Sequence, residues 1–198
     1  MEYIDLRNED GSLTGEVKER SLIHRDGDLH GTSHVWLIRY QEDMHSAEVL
    51  LQKRSKNKDS FPGSYDISSA GHIPAGVDFI DSALRELEEE LGIKAKAEDL
   101  HYGFTHIGYH EEEFYGKLFK NHEYSKVYLY ECNLSPEEMR LQDEEVESVL
   151  WIDYRECLEH IRKDDLKHCI FKDEFERLAL EIETYFAGTG RPLWKKEL

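Results

Sequence analysis

The stretch GHIPAGVDFIDSALRELEEELGI, from Gly71 to Ile93, constrains the fold more than any other part of the chain. Between Asp78 and Gly92 it holds neither proline nor glycine, and Ile80, Leu84, Leu87 and Leu91 recur at i, i+4, i+7 and i+11. That period predicts an α-helix over Phe79–Leu91, with Asp78 as N-cap, Asp81 at N3 and Gly92 just past the end. The apolar stripe must be buried, and a sheet is the expected partner. Glu86, Glu89 and Glu90 then share a neighbouring face at i, i+3 and i+4, with Glu88 close by. Like charges at that spacing cost about 0.2–0.5 kcal/mol per pair on an exposed helix. One reading is a solvated acidic face, with Asp81–Arg85 and Arg85–Glu89 as ordinary ion pairs. The other is a group of carboxylates that hold a divalent cation such as Mg²⁺, which takes hard oxygen ligands. Periodicity alone does not choose between them.

The flanking sequence supplies the sheet. YIDL and LTGEV surround the turn-forming Asp10-Gly11, and HVWLIRY (34–40) and EVLLQKRS (48–55) read as paired strands. SYDISSAGH reads as a weaker strand leading into the helix. Beyond it, LHYGFTHIGYH, YSKVYLYEC and VESVLWID read as strands, with the polar segment 111–123 as a loop. Helices are expected over 154–162 and 173–187, the second with Phe175, Leu178, Ile182, Tyr185 and Phe186 at helical spacing. The fold class is α+β with a mixed sheet. A single unit spans 1–198, with 1–30 as an N-terminal hairpin extension and 154–198 as a C-terminal helical part.

Charge and cysteines narrow the partners. A net charge of −18 argues against binding a nucleic-acid polymer or an anionic membrane, because both need a basic surface. It leaves room for a small phosphorylated molecule, since one cation reverses the sign inside a pocket. Cys132, Cys157 and Cys169 form no CxxC pair, which fits free thiols in a reducing interior. With no apolar leader near Met1 and no long apolar run, a cytoplasmic location is expected. A monomer and a homodimer both remain open, and the tryptophan in TGRPLWKKEL suits either.

The opening stretch resembles a Nudix box. The pattern is Gly, five residues, Glu, seven residues, Arg-Glu, an aliphatic residue, any residue, Glu-Glu, any residue, Gly and an aliphatic residue. From Gly71, the matches continue through Arg85, Glu86, Leu87, Glu89, Glu90, Gly92 and Ile93, eight of nine fixed positions. The first Glu of the pattern is Val77 here, with Asp78 next to it and Asp81 close. The resemblance implies an α/β/α sandwich with a catalytic loop-helix-loop, and a hydrolase acting on a nucleoside diphosphate linked to another group or a similar diphosphate. It implies Mg²⁺ or Mn²⁺ held by Glu86, Glu89 and Glu90, and an Arg85 that orients these glutamates.

Order of elements over 1–155 resembles the isopentenyl-diphosphate isomerase branch of the family, through HRDGDLHGTSHVWLIRY and the Phe61-Pro62-Gly63 turn. The position of that enzyme's catalytic cysteine is Ala70, so isomerisation is not expected. Its histidine and Glu-x-Glu metal ligands correspond to His30 and His72, loosely to His24, and in Asn121-His122-Glu123 only to Glu123. Glu123, Glu144 and Glu145 are the candidates for a general base, with a solvated charge run as the alternative for the last two. Glu145 precedes the Trp-containing strand, as the acidic residue does in the family. Arg54, Lys56 and Lys58 form a basic cluster suited to phosphate. Tyr65 and Phe61 are candidates for contacting the organic part of a substrate, or for the core. Two other readings stay open: an isomerase-like enzyme, and a Nudix-fold module that binds a nucleotide or diphosphate without cleaving it.

Overall fold

The computed structural model describes residues 2–193; Trp194, the tryptophan of TGRPLWKKEL, lies outside the described residues. Elements run β1 (Tyr3–Arg7), β2 (Leu13–Glu19), α1 (Arg20–Asp26), β3 (His30–Gln41), β4 (Ser46–Arg54), β5 (Tyr65–Asp66) and β6 (Ser69–His72). They continue with α2 (Phe79–Leu91), β7 (His101–Phe114), β8 (Lys117–Glu131), β9 (Val146–Asp153), α3 (Tyr154–Lys163) and α4 (Lys172–Gly188).

β3 is the spine of a mixed sheet. It pairs antiparallel with β4 at its far end, antiparallel with β6 near its start, and parallel with β8 from His30↔Glu123 to Ile38↔Glu131. Side chains alternate with the pleat. Trp36 and Ile38 pack with Val49, Leu51, Val127 and Leu129 against Phe175, Leu178 and Ile182 of α4 and Cys157 and Ile161 of α3. Val35, Leu37, Leu50 and Tyr128 point the other way, onto Phe79, Ala83, Leu87 and Leu91 of α2. The sheet is therefore filled on both faces, with α2 on one side and α3 and α4 on the other: an α/β/α sandwich. Ile80 and Leu84, expected in the buried α2 stripe with Leu87 and Leu91, pack at its margin, where they are partly buried.

Three features depart from the expectations. SYDISSAGH forms two short strands because the Ser68 hydroxyl interrupts them: it accepts from Leu37 N at 2.9 Å and donates to Leu50 O at 2.5 Å. That plug lets β3 leave β4 and take β6 as its neighbour. Segment 111–123 is not a loop but the distal part of a long antiparallel arm, β7 with β8, turned at Tyr115 and Gly116 with φ of 51° and 74°. Two successive positive φ values suit a two-residue hairpin turn. α1 was not expected; it is one short helix, stopped by Gly27 at φ 80°. Among the described residues, no helix is long and apolar enough to cross a membrane.

Candidate active site

The site is built from the flank of α2 inward. Asp78 caps the helix by accepting from Ile80 N at 3.4 Å. At the other end Gly92, at φ 69°, donates to Glu88 O while Ile93 donates to Leu87 O, both at 3.1 Å. With Leu87 and Leu91 fully buried, the helix cannot rotate, and Glu86 and Glu90 face the β6 backbone. Glu90 is 6% exposed and accepts from Ala70 N at 3.3 Å and Gln52 Nε2 at 3.5 Å. Glu86 lies so close over Gly71 that a Cβ there would collide with its carboxylate. Glycine is needed at that position for this approach.

Arg85 reaches forward along the helix, donating to Glu86 Oε1 at 2.6 Å and Glu89 Oε2 at 2.8 Å. It orients the carboxylates, and it does so without Asp81. Burial pushes Glu86 up to about 7, with Arg85 working against the shift. Burial and then the neighbouring Glu86 charge push Glu90 up to about 8. Paired hard oxygen donors that resist ionisation together are a donor set that a divalent cation satisfies. Val77, where the box pattern has Glu, sits 38% exposed in the turn closed by its own N–H to Pro74 O. Asp78 is occupied as the cap and does not replace that glutamate.

The same cleft receives Arg54, Lys58, His72, Glu123 and Glu145, all lining it together with Arg85, Glu86, Glu89 and Glu90. Lys58 is paired with Glu145. The Arg54 guanidinium is committed to Asp66 at 2.8 Å and to Ser60 O at 3.1 Å, so it braces the 55–64 loop from within. Lys56 is 79% exposed on its side chain and sits 3.9 Å from Glu147, away from the lining. Tyr65 takes the core alternative, packing at the margin of the cluster under α3 and α4. Glu144 lies on a separate outer groove beside Glu88 and Arg140.

Opposite α2, His24, His30 and His72 converge so that their ligand-capable atoms lie within 4.8 Å of one another. His24 Nδ1 donates to Lys120 O at 3.2 Å and His30 Nδ1 to Asp28 O at 3.0 Å, leaving a lone pair on each Nε2. His24 Nε2 stands 3.2 Å from His72 Nε2, and His30 Nε2 is buried with no partner. Burial lowers His24 to about 4 and His30 and His72 below their ordinary value, so the rings are neutral. Neutral imidazoles fixed by backbone carbonyls suit a transition metal better than Mg²⁺. Glu123, opposite His30 in the sheet, is 8% exposed. Burial opposes its charge, but the hydrogen bond and charge of His34 hold it down to about 2.

Several lining residues carried no signal in the sequence. Arg20 arrives on the unexpected α1, and His110 and Phe119 join Phe61, which the sequence offers as a substrate contact, in an aromatic wall between the 55–64 loop and the β7–β8 arm. Phe61 and His110 have ring centroids 5.0 Å apart, and Phe61 holds a φ of 50°, a conformation rare for a side chain of its size. Cys169 also enters the cleft, although it is about a hundred positions from Ala70 in sequence. Burial raises its thiol well above the usual range, so it is no ready thiolate.

A family model described as the NUDIX domain matches residues 31–172. The chain belongs to the Nudix family. Nudix hydrolase 3 of Arabidopsis thaliana is 41% identical over 83% of this chain, which spans only 21% of that protein. An uncharacterized Nudix hydrolase of Clostridium acetobutylicum is 35% identical over 78% of this chain and 71% of its own. A crystal structure of a Deinococcus radiodurans protein matches with a TM-score of 0.65 at 16% identity, covering 89% of this chain and 98% of that one. The last likeness concerns the fold alone. The matched Nudix region holds the box helix, His72, Glu123 and Glu145; His24 and His30 lie just before it.

Proposed function

We propose that this Nudix protein is a metal-dependent hydrolase of a small molecule in which a diphosphate carries an organic group. The observation that carries the reading is the convergence of Glu86 and Glu90 over Gly71 and Ala70 at the cleft floor, with Arg85 fixing their outer edge. Glu86, Glu89 and Glu90 would hold Mg²⁺ or Mn²⁺. Such a cation supplies neutralisation of the diphosphate charge and lowers the pKa of the attacking water. Glu145, which lines the cleft paired with Lys58, would accept that water's proton, and Lys58 would pair with a phosphate oxygen. His24, His30 and His72, with Glu123 beside them, form a second donor set of softer character.

Two observations weigh against isomerisation of prenyl diphosphates: Ala70 carries no thiol, and the thiol of Cys169 is held protonated. Val77 in place of a glutamate favours the alternative, a module that binds without cleaving.

Purified protein with Mg²⁺ or Mn²⁺, assayed for phosphate release from nucleoside diphosphates, sugar nucleotides, dinucleotides and prenyl diphosphates, separates these readings. Metal-dependent release is the expected result. A blank panel, with a rise in melting temperature on adding one of the same compounds, would instead establish the binding module. Interconversion of isopentenyl and dimethylallyl diphosphate would overturn the hydrolase reading.

A further inference from the structure

The first turn of α4 carries a carboxylate with no solvent exposure at all. Glu174 accepts from His34 Nδ1, 3.1 Å from Oε1 and 3.0 Å from Oε2, and from Trp36 Nε1 at 3.2 Å. His106 Nδ1 stands 3.4 Å away, while its Nε2 is 3.1 Å from Asp173. α4 does not need this cluster to dock, because Phe175, Leu178, Ile182 and Phe186 already bury an apolar face against the sheet. An apolar residue at 174 would serve stability at least as well, since burying a charge pair carries a large desolvation cost.

The other edge of the His34 ring faces the cleft. His34 Nε2 lies 3.6 Å from Glu123 Oε2 and 3.3 Å from Thr32 Oγ1, which is itself 2.7 Å from Ser125 Oγ. Both His34 and Glu123 line the cleft, whereas Glu174 stands behind them. A single imidazole is thus shared between a carboxylate closed off from solvent and from the cleft and one that borders the three histidines.

We propose that Glu174 and His34 are positioning residues that hold the Glu123 carboxylate in place at the three-histidine set, so that α4 helps complete the site from behind. The proposal rests on reading Glu123 and the histidines as one donor set. Glu174 anchors the His34 ring through Nδ1, and the Trp36 indole fixes the carboxylate plane. With the ring held, the 3.6 Å separation on the Nε2 side is maintained, and the Glu123 carboxylate stays at the cleft wall. Without the Glu174 charge, His34 has one carboxylate left to pair with. Glu123 then closes onto it and withdraws from the histidines.

The test uses the full chain and Co²⁺ as the probe, comparing wild type, Glu174→Gln, Glu123→Gln and the double variant by visible absorption and metal affinity. Partners behind a metal ligand typically change affinity by roughly 10–100-fold. A loss in that range is expected for Glu174→Gln, with a shifted cobalt band, a similar loss for Glu123→Gln, and no further loss in the double variant. Unchanged affinity and band in a folded Glu174→Gln would make the cluster a brace only and overturn the proposal. If wild type takes up no Co²⁺, the three-histidine reading fails by itself. The positioning claim is then decided by metal-free crystal structures, where an unmoved Glu123 in Glu174→Gln overturns it and a Glu123 drawn toward His34 supports it. Should Glu174→Gln not fold, His34→Gln serves in the same two measurements.

Discussion

At Glu90 two demands conflict. The side chain is held by Ala70 N and Gln52 Nε2 in a site with almost no exposure, yet a ligand for a cation must be ionised. Those hydrogen bonds, with Ser69 and Lys58, favour the charge, but burial and the Glu86 charge outweigh them, and a cation brought in from outside would tip the balance. Glu90→Gln keeps an acceptor for Ala70 N and removes the charge. On the proposed metal-dependent hydrolysis the turnover should fall at least ~100-fold, since a ligand of the cation would be lost. The metal-free melting temperature should hold or rise, because the cost of burying an ionisable carboxyl has gone. Steady-state kinetics and a thermal melt check both; an unchanged turnover would remove α2 from the chemistry. That Arg85, Glu86, Glu89 and Glu90 lie together was legible because a helix converts spacing directly into a shared face, whereas reading them as a site rested on the resemblance to the box and not on spacing. Cys169 and Arg20 were not, because they reach the cleft through tertiary folding of segments whose own residues carry no periodic mark. Arg54 was half legible: it reaches the cleft, but Asp66 and Ser60 hold its guanidinium inside, and a sequence does not reveal such a commitment.

Among the elements, α2 is held at both ends by devices the sequence spells out. The Gly92 backbone sits at φ 69°, and an added Cβ would stand 2.8 Å from Arg140 Cβ. Gly92→Ala should therefore destabilise the protein by about 1–3 kcal/mol, through left-handed strain and the clash together. Urea denaturation measures this, and a loss below about 0.5 kcal/mol would mean that the C-terminal cap does not fix the helix. The β7–β8 arm was harder to read. Its residues 111–123, EEEFYGKLFKNHE, are mostly polar and only Glu123 among them is buried, so no apolar period marks them as strand. Only Tyr115-Gly116 signalled the turn, and it was absorbed into a polar stretch. The strands of the central sheet were legible because burial on both faces leaves near-continuous apolar runs. Ser68, which splits β5 from β6, carries no such mark, since its effect lies in two hydrogen bonds to other strands.

For the molecule as a whole, the cleft concentrates groups whose protonation opposes or supports folding, and their signs differ. Glu86 and Glu90 stand near 7 and 8 when folded, against an ordinary value of 4.5. Between these values the folded chain retains protons that the unfolded chain has released, so this contribution to stability declines as pH rises from about 4.5 to about 8. His24, lowered to about 4 from 6.5, acts oppositely, as do His30 and His72: the unfolded chain binds the extra protons, so stability rises with pH up to about 6.5. His34, raised to about 10 by Glu174 and Glu123 against the effect of burial, stays charged throughout and adds no slope from its own folded form in that range. In the unfolded chain it loses its proton near 6.5, which reinforces the decline above that pH. The metal-free melting temperature should therefore fall from about pH 6.5 to about pH 8, and less steeply in Glu90→Gln. Mg²⁺ binds the ionised carboxylates, so it should raise the melting temperature more at about pH 8 than at about pH 6. Thermal melts of wild type and Glu90→Gln with and without Mg²⁺ measure these differences. A Mg²⁺ gain independent of pH would show that the cation does not displace protons from Glu86 and Glu90, and that the box helix does not hold it.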